Sequence, residues 1–369
     1  MQNPRERKSD LSIALHRSDY NSDDMPKKCG ISIAPEFAHV AGRVLQAPKL
    51  KAGDGWDLVV RNGSWNLNNN AHSGPILLDG VIEERPEMRQ APAANRVDSM
   101  FDQMKSSGPW KRKCLADFGI FTQCLDPPPT IKDQYLTNVL LKINANLGGL
   151  NSLLQMEASR AIPLVSRAPT IIFGMDVSNG SQRQSDVPSI AAEYLRDFMS
   201  EDTKQQKPEH IIIFRDGVNE GQFNQVLNIE LTQIIEIKTC RPFLIVAQKN
   251  LHARFFLHNG PRDGDVANVS PGTVVDTGIC HSRNYDFYMC AHAGMIGLQG
   301  QHITMYQRST SAISVVAPVY YAHLAAAQVR QLVKFDDASE TASSASGAPA
   351  PVPELPPLHE SVRSSMFFC

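Results

Sequence analysis

The sequence predicts an α/β fold, and three observations predict it. Two apolar runs, TIIFGMDVSNG (170–180) and HIIIFRDGVNEGQF (210–223), read as strands that each deliver an aspartate, Asp176 and Asp216. A helical spacing follows the second run, at Phe223, Val226, Leu227, Glu230 and Ile234. A third apolar run, RPFLIVAQKN (241–250), then returns to strand. Strands alternating with helices imply a sheet layered with helices.

Composition narrows the class further. The chain has 369 residues, 42% of them hydrophobic, with 36 Lys and Arg against 38 Asp and Glu. At about 150 residues per domain this is two or three domains. No run reaches the ~18 apolar residues of a membrane span. The start, MQNPRERKSD, has no apolar region behind it, so neither a membrane span nor a secretory leader is expected. Seven cysteines, odd in number and never spaced C-x-x-C, imply reduced thiols in the cytosol or nucleus. A net charge of −2 excludes an overall basic coat, so any nucleic acid would need a local groove.

Along the chain, residues 1–100 are punctuated by Pro, Asn and Gly and read as a linker, with one strand-like run at Pro75 to Ile82. Asp133 to Asn151 carries Leu136, Val139, Leu140, Ile143 and Leu147, the stripe of a helix packed on one face. Gly148 and Gly149 supply its stop. Asn138, Lys142 and Asn146 form a polar row on the other side. The run 311–333 reads as a strand, a Pro break and a helix carrying His323 near its start. Beyond Asp336 a Ser/Ala/Pro-rich tract cannot bury enough apolar area to order itself, yet the chain ends on apolar Met366, Phe367, Phe368 and Cys369.

Two constellations could carry chemistry. Carboxylates at the ends of neighbouring buried strands repel unless a cation joins them, so Asp176 and Asp216 fit an oxygen-ligand Mg²⁺ site, to which His323 could add a nitrogen. The same aspartates also read as turn caps, and His323 as a packed histidine. Lys111, Arg112 and Lys113, with Lys142 and Gln123, could cradle a phosphate or could be solvated surface groups. Cys280, His281, Cys290 and His292 match none of the usual zinc spacings.

The motifs resemble the Argonaute family. GMDVSNG, FRDGVNEGQFNQVLNIE, VAQKNLHARFF, PGTVVDTGICH, DFYMCAHAG, YQRSTSAISVVAPVYYAHLAAA and MFFC occur in family order. DVPSIAA, KPEHIIIFRDG and MFFC look most like the plant clade of RNA-directed DNA methylation. The resemblance implies an RNase H-like PIWI domain preceded by a partial, Rossmann-like MID domain. It sets a linker and the start of MID at 1–100, a truncated MID at 101–168 and PIWI at 169–335. A disordered segment at 336–363 and a C-terminal anchor at 364–369 follow.

By motif position, Asp176, Asp216 and His323 match three of four catalytic metal-binding residues, with Mg²⁺ or Mn²⁺ as the ion. Lys111, Gln123 and Lys142, with the carboxylate of Cys369, match the pocket for a guide RNA's 5′ phosphate. Arg254, Arg308, Ser314 and Tyr320, together with His252 and His292, match positions along the guide backbone. The implied partners are a small guide RNA, complementary RNA and Gly-Trp-rich proteins, in the nucleus.

Three departures bear on activity. A strand is missing between Phe101 and Gly108, where Ser107 takes the place of a base-stacking tyrosine, and Asn146 stands where the family has a second pocket lysine. A longer stretch is missing between Ala192 and Glu193, with the hairpin and the glutamate that completes the catalytic set; Glu193 and Glu201 align instead with a following helix. Another strand and helix shrink to LQGQHIT at 298–304. A silencing protein that binds guide RNA and cleaves poorly or not at all is therefore expected. A Mg²⁺-dependent endonuclease that recruits another carboxylate, and a decoy fragment docking Gly-Trp-rich partners, stay open.

Overall fold

The structure, a computed structural model, describes residues 3–52, 56–67, 111, 113–123, 125, 128–158, 165, 168–178, 190–197, 208–236, 241–248, 252–258, 266–281, 286–290, 306–332, 357–363 and 365–368. Its strands are β1 (Arg43–Val44), β2 (Leu50–Ala52), β3 (Asp57–Leu58), β4 (Ser152–Leu154), β5 (Thr170–Ser178), β6 (Ile190–Asp197), β7 (His210–Arg215), β8 (Arg241–Val246), β9 (Thr273–Val275) and β10 (Tyr288–Met289). The helices are α1 (Pro4–Ser18), α2 (Asp24–Lys28), α3 (Asp133–Asn146) and α4 (Gln155–Ala158). Short helical pieces then run unbroken over 220–236 as α5, ahead of α6 (Ala317–Leu332) and α7 (Glu360–Arg363).

Two compact units result. The first comprises Met1–Ala47, Arg61–Gly63 and Asn250–Ala293. It holds α1, α2 and the antiparallel sheet β1-β9-β10. The linker reading of 1–100 missed α1, although its start is written plainly. Pro4 sits in its first turn, and Asn3 and Glu6 cap each other reciprocally at 2.8 and 3.1 Å. Edge-to-face contacts join Phe37 to Phe256 and His39 to His258 within this unit.

The second unit comprises Pro48–Val60, Ser64–Lys249 and Gly294–Cys369. A small antiparallel sheet, β3-β2-β4, buries Leu50 and Leu154 opposite each other. The main sheet has the order β6-β5-β7-β8, with β5, β7 and β8 parallel and β6 antiparallel to β5. Ile172, Ile212 and Phe214 from its strands pack with Val165 and with Val319 of α6. That places α6 on the face that also carries Thr170, Gly174 and Asp176.

Two elements depart from expectation. The segment at 190–197 is strand β6, although Glu193 aligned with a helix. Its register sets Ala192 opposite Asp176 and Glu193 opposite Met175. Leaving the β5 ladder unpaired would expose a row of backbone donors and acceptors, and the sequence IAAEYLRD fills the vacancy.

Helix α3 is the second departure. It stops at Asn146, and its buried residues are Leu141, Asn144, Ala145 and Asn146. Of the predicted packed stripe, Leu136, Leu140 and Leu147 are 48%, 39% and 45% exposed, and Val139 and Ile143 are half-buried. Ala145 packs with Tyr306, Ala317 and Tyr321, joined by Met366 and Phe368 of the chain end. No sheet of the described residues covers the leucine face.

Behind α3 a buried amide network ties the chain together. Asn151 receives a bond from Asn144 Nδ2 at 2.7 Å and donates to the carbonyls of Leu141 and Gln307. Gln307 Oε1 accepts from the backbone of Asn151 and Ser152, and the Gln307 N–H donates to the Tyr321 hydroxyl. The tract expected to be disordered, 336–363, is ordered at its end. Within it α7 fully buries Val362 against Leu115, because Leu358, Phe121 and Phe367 complete an apolar cluster there.

Candidate functional site

Met175 faces Arg215 in the last pair of the parallel register of β5 and β7, and Asp216 follows directly, its N–H on Met175 O. Asp176 and Asp216 therefore lie at the same end of two neighbouring parallel strands. Both residues are buried. His323 of α6 completes the group: its Nδ1 lies 2.6 Å from Asp176 Oδ2. The Asp176 side chain is 5% exposed and that of His323 55%, so the imidazole caps a buried carboxylate from the solvent side.

Close approach of α6 makes this possible. A Cβ on Gly174 would collide with the carbonyl of Pro318, so only glycine lets the first turn of α6 rest on β5. His323 follows Pro318 by five residues and thereby reaches Asp176. Pro318 is not a break before the helix, as its sequence context implied. It lies in the first turn, where its missing N–H costs nothing.

Asp216 is fixed by its surroundings. Its N–H donates to Met175 O at 2.9 Å, and its carbonyl accepts from the Arg215 guanidinium. Two further Arg215 nitrogens donate to Glu230 of α5 at 3.0 and 3.1 Å, a forked pair. Gln248 Nε2 donates to Val218 O at 3.0 Å, holding the turn that follows. Neither Arg215 nor Glu230 stood out in the sequence, where they read as ordinary charged neighbours of a motif.

Two carboxylates side by side suit a hard divalent cation such as Mg²⁺ or Mn²⁺. The ring nitrogen of His323 that faces them is engaged by Asp176. Among the described residues no group of three metal-ligating side chains is present. The expected three-residue set of Asp176, Asp216 and His323 is thus not assembled as a metal centre; the two aspartates alone have the oxygen-donor chemistry that such an ion takes.

Of the residues expected at a phosphate, Lys111 is brought to α6, where its Nζ donates to Gln328 Oε1 at 2.9 Å. Gln328 is buried, and its Nε2 has no hydrogen-bond partner among the described residues. This glutamine was missed by sequence reasoning, since one amide on a helix carries no signal until Lys111 is placed beside it. Asn146 is buried as well, and its Oδ1 is likewise unpaired among the described residues. Lys142 lies one turn before it on α3, half-buried, and Gln123 is half-buried too. Cys369 lies outside the described residues.

The residues expected along a guide backbone fall in both units. In the second, Arg308 has a buried Nε without a partner among the described residues, Ser314 is exposed, and the Tyr320 ring lies tilted against Tyr306, centroids 4.5 Å apart. In the first, His252 and Arg254 are exposed. His292 lies outside the described residues. Cys29, Cys114, Cys280 and Cys290 are free thiols. Burial pushes the Cys280 and Cys290 thiols up from the ordinary thiol range. No helix of the described residues is long and apolar enough to cross a membrane.

Comparison with solved structures defines the class. Kluyveromyces polysporus Argonaute with a guide RNA superposes with a TM-score of 0.63 at 18% identity, over 90% of this chain and 54% of that one. Drosophila Piwi gives 0.60 at 14% identity, over 100% of this chain and 62% of that one. The fold is the RNase H-like fold of the Argonaute and Piwi structures.

Sequence families agree. A Piwi domain model matches residues 102–196 and 192–303, more than half of the chain, and an Argonaute linker 2 domain model matches 6–52. The chain belongs to the Argonaute family. It is 47% identical to protein argonaute 4A of Oryza sativa subsp. japonica and 42% identical to protein argonaute 4 of Arabidopsis thaliana. It is covered in full in both alignments and covers 55% and 54% of those relatives, so it spans about half their length. The rice alignment runs over 504 residues against the 369 of this chain, so the relative holds stretches with no counterpart here. The two Piwi matches meet at 192–196, inside β6, where the sequence places the longest missing stretch.

Proposed function

We propose that this chain binds the 5′ end of a small guide RNA and, through the guide, complementary RNA, and that it acts in gene silencing without efficient target cleavage. The observation that carries the reading is α6. One continuous helix sets His323 on Asp176 and, five residues further on, Gln328 on Lys111. That spacing along one helix supports reading the His323 end as the proposed metal side and the Gln328 end as the proposed phosphate side.

At the phosphate end, the Lys111 ammonium and the unpaired Gln328 amide are both donors, and a terminal phosphoryl group offers acceptors to both. Asn146, in place of a second lysine, leaves this cradle with less positive charge. Arg308, Ser314 and Tyr320, with His252, Arg254 and His292, are the proposed contacts along the backbone. Cys369 is proposed to line the same pocket.

At the carboxylate end, Asp176 and Asp216 would hold one Mg²⁺ or Mn²⁺. When bound, such an ion supplies positive charge to a phosphodiester oxygen. His323 orients Asp176 and shields it from solvent. Cleavage by two ions needs further anionic ligands, and the residue paired with Asp176 across β6 is Ala192, which brings none. Likeness to the argonaute 4 proteins favours the plant branch of RNA-directed DNA methylation, a nuclear location and Gly-Trp-rich partner proteins.

The test is filter binding of a 5′-phosphorylated and a 5′-hydroxyl small RNA, followed by incubation with a labelled complementary target in Mg²⁺. Preference for the phosphorylated RNA, weakened about 10–100-fold by Lys111→Ala, is the expected result. Equal binding of the two RNAs would remove the guide-end reading and leave the decoy. Target scission abolished by Asp216→Ala would establish the endonuclease instead.

A further inference from the structure

We propose that Arg215, held by Glu230, is a positioning residue for Asp216: it fixes the backbone from which the Asp216 carboxylate reaches the ion site. The proposal rests on the reading of Asp176 and Asp216 as ligands of one divalent ion.

Asp216 is the first residue beyond β7, where ladder bonding gives way to a turn with Gly217 at φ +75°. A ligand at such a position depends on whatever holds its peptide. The Asp216 N–H is held by Met175 O. Its carbonyl is held by Arg215, whose guanidinium cannot swing away because two of its nitrogens are forked onto Glu230. The Arg215 side chain is 13% exposed and that of Glu230 29%, so water competes weakly for the fork. Arg215 O in turn accepts from Ala247 N at 2.8 Å, tying the same residue to the continuation of β8. One side chain therefore connects α5 to the peptide of a site residue. Groups of this kind, one step behind a metal ligand, typically set affinity by 10–100-fold.

An ion pair that merely stabilises the fold would behave differently. Exchanging the partners, Arg215→Glu with Glu230→Arg, restores opposite charges but leaves no donor next to the Asp216 carbonyl. Mn²⁺ binding to the full chain, followed by electron paramagnetic resonance, reads the ligand geometry. Amide hydrogen exchange without metal reads the peptide. Glu230→Gln is expected to weaken Mn²⁺ binding about tenfold. It is also expected to remove protection at Asp216, whose N–H donates to Met175 O, while leaving Ile211 to Ile213 protected. The exchanged pair is expected to recover the thermal melt and not the Mn²⁺ affinity.

Recovery of that affinity by the exchanged pair, or unchanged protection at Asp216 in Glu230→Gln, would overturn the proposal. If the unaltered chain bound no Mn²⁺, the ion reading would fall, and the exchange comparison would still decide whether Arg215 positions Asp216.

Discussion

At Asn146 an amide takes the place that family resemblance gives to a lysine, and the structure buries it with an unpaired oxygen. A buried polar atom without a partner costs about 1–3 kcal/mol, so the position is strained until a donor or ligand arrives. Asn146→Lys restores a cation on the polar row of α3. It is expected to tighten binding of 5′-phosphorylated RNA by about 1.5–3 kcal/mol, or roughly 10–100-fold, and to leave 5′-hydroxyl RNA unchanged in the same filter assay. Single residues were legible in the sequence where a pattern surrounded them. Asp176 and Asp216 each close an apolar strand, and His323 sits on a marked helix. Gln328, Arg215 and Glu230 were not legible, since their meaning comes from partners 217 and 15 residues away.

At the scale of elements, α3 shows how a correct periodicity can assign the wrong face. The stripe of Leu136, Leu140 and Leu147 is real, but the protein beneath α3 is the 306–321 segment, which packs on Ala145, and Leu141 is buried as well. Leu141→Ala is therefore expected to destabilise by about 2–5 kcal/mol in a denaturant melt. Leu136→Gln is expected to change stability by less than about 0.5 kcal/mol, since its site is already wet.

The contact between α6 and β5 gives a second test. Gly174→Ala forces a Cβ onto the Pro318 carbonyl and is expected to cost at least about 1–3 kcal/mol. A loss of the histidine–carboxylate contact, read from the His323 ring resonances, should accompany it. β6 was misread for a related reason. Its sequence suits more than one element, and what decides is the open edge of β5 beside it, which no local pattern records.

Across the whole molecule, the RNase H-like core persists in a chain that spans about half the length of its relatives. It persists because the parallel trio β5, β7 and β8 is intact, β6 closes one flank and α6 covers the face with the carboxylates. The end of the chain contributes as well. Met366 and Phe368 join the cluster of Ala145, Tyr306, Ala317 and Tyr321, with Phe368 edge-on to Tyr321 at 6.4 Å. Phe368→Ala is expected to lower stability by about 2–4 kcal/mol in a thermal or denaturant melt. It should also weaken guide binding, because the same cluster seats α3 and the start of α6. The fold class was legible because strand–helix alternation survives truncation. The packing of the chain end was foreshadowed only by its apolar composition.

The central proposal is that Asp176 and Asp216, with His323 holding Asp176, bind a single ion. Anomalous diffraction from crystals of the full chain equilibrated with Mn²⁺ and a 5′-phosphorylated RNA tests it most directly. One anomalous peak between Asp176 and Asp216 is the expected result. Two peaks about 3.5–4 Å apart, the spacing of a cleaving pair, or no peak at these residues, would contradict it.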